Sequence, residues 1–580
     1  MLKAGSQWVC RSHSTSLDVI DRFLVGRNYQ RSDRIDMVSI RDISDPFNLK
    51  DIDKAVDRLY FAIKKKQPVF VHGDYDTDGA TASAVIKHFL TSFGVHVIPW
   101  IPDRFEDGYG LSKESVRVIA NSKTPLVITV DCGISDNGIA RQIESLTGSD
   151  VIVTDHHDQV NGYVPECHAV INPKRSDCQS HLHQLAGVGV AWKLVHATMK
   201  KLYPKGIPDD KVEFLESLLG LVAIGTVADM VPIVGENRFF VYKGIQTLRE
   251  YRLPFIDGVM KFLQKIGRGN TVIDESFIGF KLAPSINAVS REKCNAKKNV
   301  DLFCSTSVDE AYQIYETNNA LNENRKERQT ELTEVILKNK EHINVYDKSI
   351  VINGGDFKGH DIEEGIMGIL ASQILDVYQV PVTIFSGNEK DGIIKGSIRT
   401  NNIISASSFI NFIKEKKIIS HGGGHSAAGG LGLPVKNIQD FRKYFNDYST
   451  KNGKNHHHKI INYDTDITVD KINEDFINHY GLYGPYANAE KPSFLTCGRI
   501  TNVVHLSRKN PNDQHRILNI KDGMNIFQVK TFNFKKIECE INSSKDYEMI
   551  ITPSINIFNG RKNVEFLLVD LREKMDLVDF

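Results

Sequence analysis

Between about residue 55 and residue 235, short apolar runs alternate with segments of helical spacing. Val69–His72, Val95–Ile101, Leu126–Val130 and Val151–Thr154 are almost continuously apolar, the pattern of strands covered on both faces. Ala80–Ser92 and Lys113–Asn121 lie between them and carry helical periodicity. This alternation predicts a parallel α/β sheet, in which ligands bind beyond the carboxyl ends of the strands. Glu213–Ala223 reads as a helix and Gly225–Asp229 as the loop after it. Val308–Lys340 contains neither Gly nor Pro and is rich in strong helix formers, which predicts one extended helix joining two lobes. A second α/β region starts near 345, with strands near Ser349–Ile352 and Pro381–Phe385. It carries the run Gly422-Gly423-Gly424-His425 and ends near 450. Lys451–Lys459 is a polar linker whose His456–His458 reads as a solvated loop. Beyond 460, short strand-like runs alternate with turn signals at Asn510–Asp513 and Asn559–Gly560, which predicts a small antiparallel β barrel or sandwich. Residues 1–50 are polar and mixed, and read as an extension packed on the first domain. The partition is therefore 1–50, 51–305, 306–342 (connecting helix), 343–450 and 451–580.

Composition narrows the class. A chain of 580 residues, 41% apolar and 25% charged, is expected to form three or four soluble domains. No apolar run approaches the roughly 18 residues that would span a bilayer, and the first residues lack the pattern of a secretory signal. The eight cysteines form no CxxC pair, which argues against a zinc ribbon and fits a reducing, cytoplasmic setting. Formal net charge is zero, so a uniformly basic coat for nucleic acid is excluded. Arg499 to Lys562 nevertheless holds eleven Lys/Arg against six Asp/Glu.

The candidate chemistry lies at the ends of the first strands. Val71–Ala80 reads VHGDYDTDGA and crowds His72, Asp74, Asp76 and Asp78 between glycines. Crowded carboxylates repel, and a cation relieves them. Asp131-Cys132-Gly133 and Asp155-His156-His157 follow later strands, and Asp229 adds a further acid in an apolar context. A lone Asp after a strand is usually a helix cap. Four such segments on one sheet edge point instead to convergence. Carboxylates and imidazoles without thiolates suit Mn²⁺ or Mg²⁺, and their number suits a pair of ions, which together activate water and stabilise a leaving oxygen in phosphate-ester hydrolysis.

HGDYDTDG, DCG, TDHHD and GTVADMVP, in this order, resemble motifs I to IV of the DHH phosphoesterase superfamily. More narrowly, the chain resembles the RecJ family of single-strand-specific 5′→3′ DNA exonucleases. PDRFEDGYGL (102–111), LAPSINA (282–288), LNENRKERQ (321–329), GGGHSAAG (422–429) and LYGPY (482–486) are similar to further segments of that family, so the likeness covers about residues 50 to 580. The resemblance implies a two-lobed α/β fold: a DHH catalytic domain, a connecting helix and a DHHA1 domain, followed by an OB-type barrel that holds single-stranded DNA. It implies two divalent ions, Mn²⁺ preferred or Mg²⁺. His72, Asp76 and Asp131 would serve one; Asp78, Asp131, His156 and Asp229 would serve the other, with Asp131 bridging. His157 would face the scissile phosphate, and Asp74 and Asp155 would orient the ligands. It further implies a monomer acting in repair and recombination beside a single-strand-binding protein and a helicase, with no membrane.

An end-directed nuclease must also hold the strand. Arginine matches phosphate through its planar fork. Arg104 beside the metal edge and Gly396-Ser397-Ile398-Arg399 in the second lobe suit this, and by resemblance Arg104, Ser397 and Arg399 hold the 5′ phosphate. Gly423 and Gly424 let backbone approach a phosphate, with His425 beside them. Phe527, Phe532, Phe534 and Phe558 in the last domain are read as core or as base-stacking rings. Three positions depart from the family: Ser285 and Gln373 stand where arginine is usual, and Ser290 where glycine is. Two of these remove cations that would face DNA, with Arg291 or Lys293 as replacements. The alternatives are another DHH phosphoesterase, acting on oligonucleotides, cyclic dinucleotides or polyphosphate, and a catalytically inactive replication scaffold of the same fold.

Overall fold

The computed structural model describes residues 6–574 apart from 13, 15–17, 137, 160–161, 252, 340–342, 344–347, 358, 388, 390–391, 402, 454–458, 487–490, 507–514, 533–540 and 559–560. The histidine run 456–458, the turns at 510–513 and 559–560, and Phe534 lie outside the described residues. The chain forms two units. One comprises Met1–Gln7, Asp45–Asp229 and Thr247–Lys459; the other comprises Trp8–Ser44, Met230–Gln246 and Ile460–Phe580.

In the first unit, β1 (Val69–Gly73), β2 (Val97–Trp100), β3 (Leu126–Val130), β4 (Asp150–Thr154) and β5 (Ala169–Ile171) form a parallel sheet in the order β2-β1-β3-β4-β5. Every residue of β1 and β3 is buried, as their unbroken apolar runs require. Strand order reverses at β1, so the crevice beyond the carboxyl ends of β1 and β3 is the switch point where α/β sheets bind ligands. Helices α1 (Thr77–Ser92), α2 (Lys113–Ser122) and α3 (Ile139–Thr147) connect these strands. Helix α1 starts three residues before the expected Ala80 because the Asp76 side chain caps it, accepting from the amides of Asp78 and Gly79. Sequence reading missed α3 and β5; three residues, Ala169–Ile171, carry too little pattern to announce a strand.

Glu213–Ala223 is not one helix: Asp209–Ser217 ends before Leu218, and after α4 (Gly187–Leu202) the next long apolar helix is α5 (Leu219–Ala228). Gly225–Asp229 is not a loop, because α5 continues to Ala228 and Asp229 keeps helical dihedrals at its end. The apolar run stays helical because it is buried, and Gly225 lets α5 close on α1. A Cβ at Gly225 would lie 2.7 Å from both Asp78 Oδ1 and Val188 Cγ1.

Beyond α5, a π-helical turn at Ile278–Leu282 leads into α6 (Ala283–Arg291). Helix α7 (Val308–Lys338) is the extended helix that the missing glycines and prolines predict, capped by Ser307. Its 31 residues span about 46 Å. It packs on Pro254–Lys265, on α6 and on α8 (Glu364–Tyr378). The second lobe is a mixed sheet in the order β9-β10-β8-β7-β6, built from β6 (Ile350–Asn353), β7 (Val382–Phe385), β8 (Ile393–Arg399), β9 (His421–Gly424) and β10 (Ala428–Pro434). Only β6 and β7 run parallel in it. The glycine run is thus a strand of a hairpin, with His425 at the turn.

In the second unit, β11 (Phe494–His505), β12 (Arg516–Asp522), β13 (Asn525–Thr531), β14 (Asp546–Phe558) and β15 (Arg561–Glu573) follow the order β11-β12-β13-β15-β14, and β14 closes back on β11. This is a closed five-stranded barrel of OB type. The N-terminal residues Trp8–Ser44 belong here and not to the first domain, which corrects the expected packing. Helix Val19–Gly26 places Phe23 and Leu24 in one core with Tyr480, Tyr483, Phe494, Leu518 and Tyr547. Arg27 grips the fully buried Asp464 through Nε at 2.6 Å and a second nitrogen at 3.0 Å, and its guanidinium lies over the Tyr486 ring. The barrel core also takes Val529, while Phe527 packs at its margin and Phe532 is exposed. No helix among the described residues is long and apolar enough to cross a membrane.

Candidate metal centre and phosphate pocket

Each acidic segment reaches the crevice from a different element. Asp76 Oδ1 accepts from Asp78 N at 2.9 Å and Gly79 N at 3.1 Å as the cap of α1. Asp78, in the first turn of α1, is buried and accepts from the first amides of α4: Gly187 N at 2.7 Å and Val188 N at 2.9 Å. Two helix N-termini therefore converge on these acids, which favours negative charge there. Asp131 follows β3 with φ +61°, a left-handed conformation uncommon for L-residues and tolerated best by Asp and Asn. Its carboxylate lies against Gly187, where a Cβ would sit 2.5 Å from Oδ1.

Three overlapping groups of possible ligand atoms result, each within 4.8 Å: Asp131, His156 and His157; Asp78, His156 and Asp229; and Asp74, Asp76 and Asp131. His156 Nε2 lies 3.2 Å from Asp131 Oδ1, 3.5 Å from Asp229 Oδ2 and 3.9 Å from Asp78 Oδ2. Burial and the neighbouring His157 lower its pKa to about 3, so the ring is neutral and one of its two nitrogens offers a lone pair. Burial and mutual repulsion push the acids the other way. Asp78 rises to about 7, Asp229 to about 9, and Asp74 and Asp131 well above the carboxylate range. Asp74 Oδ1, Asp131 Oδ1 and both nitrogens of His156 are buried without a hydrogen-bond partner. Hard oxygens, a neutral imidazole and orphaned acceptors fit divalent cations of the Mn²⁺ or Mg²⁺ kind.

His72 departs from its expected place. Its buried Nε2 meets Ser115 Oγ at 3.0 Å, and Nδ1 faces Cys132 Sγ at 3.6 Å. It joins none of the three groups, whereas Asp74, read as an orienting residue, joins one. Asp155 is fully buried. It accepts from the amides of Ile134, His156 and His157 and lies 2.8 Å from His157 Nδ1. Burial opposes charge on His157, but the Asp155 carboxylate outweighs it and raises the imidazole to about 9. Sequence reading missed Tyr109, whose hydroxyl lies 3.0 Å from His157 Nδ1 and 3.3 Å from the Asp131 carbonyl. The only signal was an aromatic residue between two glycines.

In the same unit a set of arginines gathers without an acid. Burial, then Arg104, Arg325 and Arg399, lower Arg291 to about 9. Burial and Arg104 also lower Arg399. Arg399 donates to Ser397 Oγ at 2.9 Å and Arg291 to the Gly365 carbonyl at 3.0 Å, while Arg104 lies over the Tyr75 ring. None of Arg104, Arg291 or Arg399 makes an ion pair among the described residues. Clustered cations without counter-ions are a site for an anion such as a phosphate. Arg291, one of the two suggested replacements, is in the cluster. Lys293 instead lies over the Phe105 ring. Gly423 is open to solvent, and His425 stacks on His157 at 5.6 Å while its Nδ1 lies 3.2 Å from Asp158. Ser285 is buried against α7, donating to the Lys281 carbonyl, and Gln373 accepts from Thr333 on the same helix. Ser285 therefore faces the protein interior, and Gln373 is half-buried against the long helix. Ser290 is likewise buried, donating to the Asn287 carbonyl.

Comparison with known families agrees with this layout. The DHH family N-terminal domain matches residues 68–226, the DHHA1 domain 347–451 and the RecJ OB domain 463–570. The single-stranded-DNA-specific exonuclease RecJ of Salmonella typhimurium is 34% identical over 411 residues, 70% of each chain. This chain belongs to the RecJ family. The RecJ of Bacillus subtilis is 30% identical across 91% of the chain, which spans 64% of that longer relative. Among solved structures, RecJ of Thermus thermophilus in complex with Mn²⁺ superimposes with a TM-score of 0.76 at 25% identity, covering 99% of this chain and 80% of that one.

Proposed function

We propose that this RecJ-family chain is a metal-dependent exonuclease that degrades single-stranded DNA from its 5′ end and releases mononucleotides. The observation that carries the reading is the pairing, within one unit, of the overlapping carboxylate and imidazole groups with an unpaired arginine cluster. Asp74, Asp76, Asp78, Asp131, His156 and Asp229 would hold two divalent ions, with Asp131 shared. Bound there, such ions supply an activated water and stabilise the leaving oxygen. His157, held protonated by Asp155 and braced by Tyr109, would place a positive charge against the scissile phosphate. Arg104, Arg291, Arg399 and Ser397 would hold the terminal 5′ phosphate and so set the cleaved bond one nucleotide in. The closed barrel supports a polymeric substrate over a dinucleotide, since OB barrels track unpaired strands.

Arg399→Ala tests the pocket. It weakens binding of 5′-phosphorylated strands more than of 5′-hydroxyl strands, measured by fluorescence anisotropy without metal; equal weakening of both removes the pocket from the reading.

A further inference from the structure

The first turn of α1 presents Asp76 and Asp78, and its amides can be followed one by one. A helix leaves its first N–H groups without intrahelical partners. Here Asp78 N and Gly79 N bond to Asp76 Oδ1, and Ala80 N bonds to the Asp76 carbonyl. Thr77 N remains. It lies between the two acids in a fully buried residue, and it donates at 2.8 Å to Asn287 Oδ1 on α6. The same oxygen accepts from the Thr77 hydroxyl, also at 2.8 Å. No motif reading assigned Asn287 a task.

We propose that Asn287 is a positioning residue for the metal centre. It satisfies both donors of Thr77, so that Asp76 is not drawn into bonding the amide of its own neighbour. Asp76 then meets its helix through Oδ1, and Oδ2 stays clear of hydrogen bonds from described residues. Without Asn287, the buried Thr77 N–H turns to the nearest carboxylate, and the turn that spaces Asp76 from Asp78 relaxes. The arrangement also links two sites. Helix α6 carries Asn287 and, one turn later, Arg291, which anchors at the Gly365 carbonyl. About 6 Å of rigid helix therefore separates the brace on the metal turn from the arginine cluster. This inference rests on the metal-dependent reading above, and its test needs no DNA.

Mn²⁺ is titrated calorimetrically into the full-length protein and its variants. Asn287→Ala is expected to weaken Mn²⁺ binding about tenfold and to lower kcat with KM for single-stranded DNA little changed. Asn287→Asp keeps the acceptor oxygen and is expected to stay within about threefold of the parent. Thr77→Ala removes only the hydroxyl bond, keeps the helix, and is expected to lose about threefold. Parental Mn²⁺ affinity in Thr77→Ala together with a lowered melting temperature would mean a purely structural contact and overturn the proposal. So would equal losses in Asn287→Ala and Asn287→Asp. If the parent binds Mn²⁺ but leaves single-stranded DNA intact, the exonuclease reading fails while the role of Asn287 stands.

Discussion

Asp131 concentrates the chemistry proposed for this chain. It sits at φ +61°, belongs to two of the three ligand groups and is pressed against Gly187. Asp131→Ala is expected to reduce nuclease activity to background while leaving metal-free DNA binding within a few-fold, and Asp155→Asn to cost about 10- to 100-fold, the range for partners that orient ligands. The pH profile follows from the same groups. Asp78 and Asp229 titrate near 7 and 9 in the metal-free protein, so binding a cation must displace protons, and Mn²⁺ affinity rises with pH. Titrations at pH 6 and pH 8 should show weaker binding at pH 6. In its proposed role His157 acts protonated, so activity falls at alkaline pH, and bound cations beside the ring shift that fall below the metal-free value of about 9. At this scale the sequence was legible where residue type and strand-end position carry the chemistry. The DHH and DCG segments announce themselves as acids crowded beside apolar runs. What could not be read was orientation. His72 has the right type and spacing, yet Ser115, 43 residues away, takes its Nε2. Arg291 has no local signal, because its neighbours Arg104 and Arg399 come from distant segments.

Among elements, apolar continuity predicted β1, β3 and β4 almost to the residue, and the absence of Gly and Pro predicted α7. The failures have one physical cause: tertiary burial decided the conformation. The run through Gly225 is helical because α5 packs on α1, where glycine permits the approach. The first 50 residues look like a polar extension, but four of the five apolar positions of helix Val19–Gly26 (Val19, Ile20, Phe23 and Leu24) complete the barrel core. That packing has a direct test. Arg27→Ala leaves the buried Asp464 with the Ser493 amide at 2.9 Å and Arg11 at 3.7 Å, and should destabilise the barrel unit by about 3 kcal/mol, the low end for breaking a buried pair. Phe23→Ala should cost about 3–5 kcal/mol through lost burial and a cavity. Chemical denaturation followed by barrel tyrosine fluorescence measures both. Unchanged midpoints would return the segment to the role of a loose extension.

For the molecule as a whole, cation binding and folding are linked. The crowded acids repel one another until a cation is bound, so Mn²⁺ should raise the melting temperature of the first unit. At one hundred times its Kd the gain is about 2.7 kcal/mol. Asp131→Ala should abolish that gain. The proposed function joins the two-metal crevice and the arginine cluster in one enzyme that works from the 5′ end of an unpaired strand. It is tested most directly by digesting single-stranded and duplex DNA, labelled at either end, with the full-length protein and Mn²⁺, and resolving the products by length. Expected are a labelled mononucleotide from 5′-labelled single strands at the earliest times, a shrinking ladder from 3′-labelled ones, an intact duplex, and no products once the metal is chelated. Mononucleotides appearing first from the 3′ end, or cleavage that persists without metal, would contradict it.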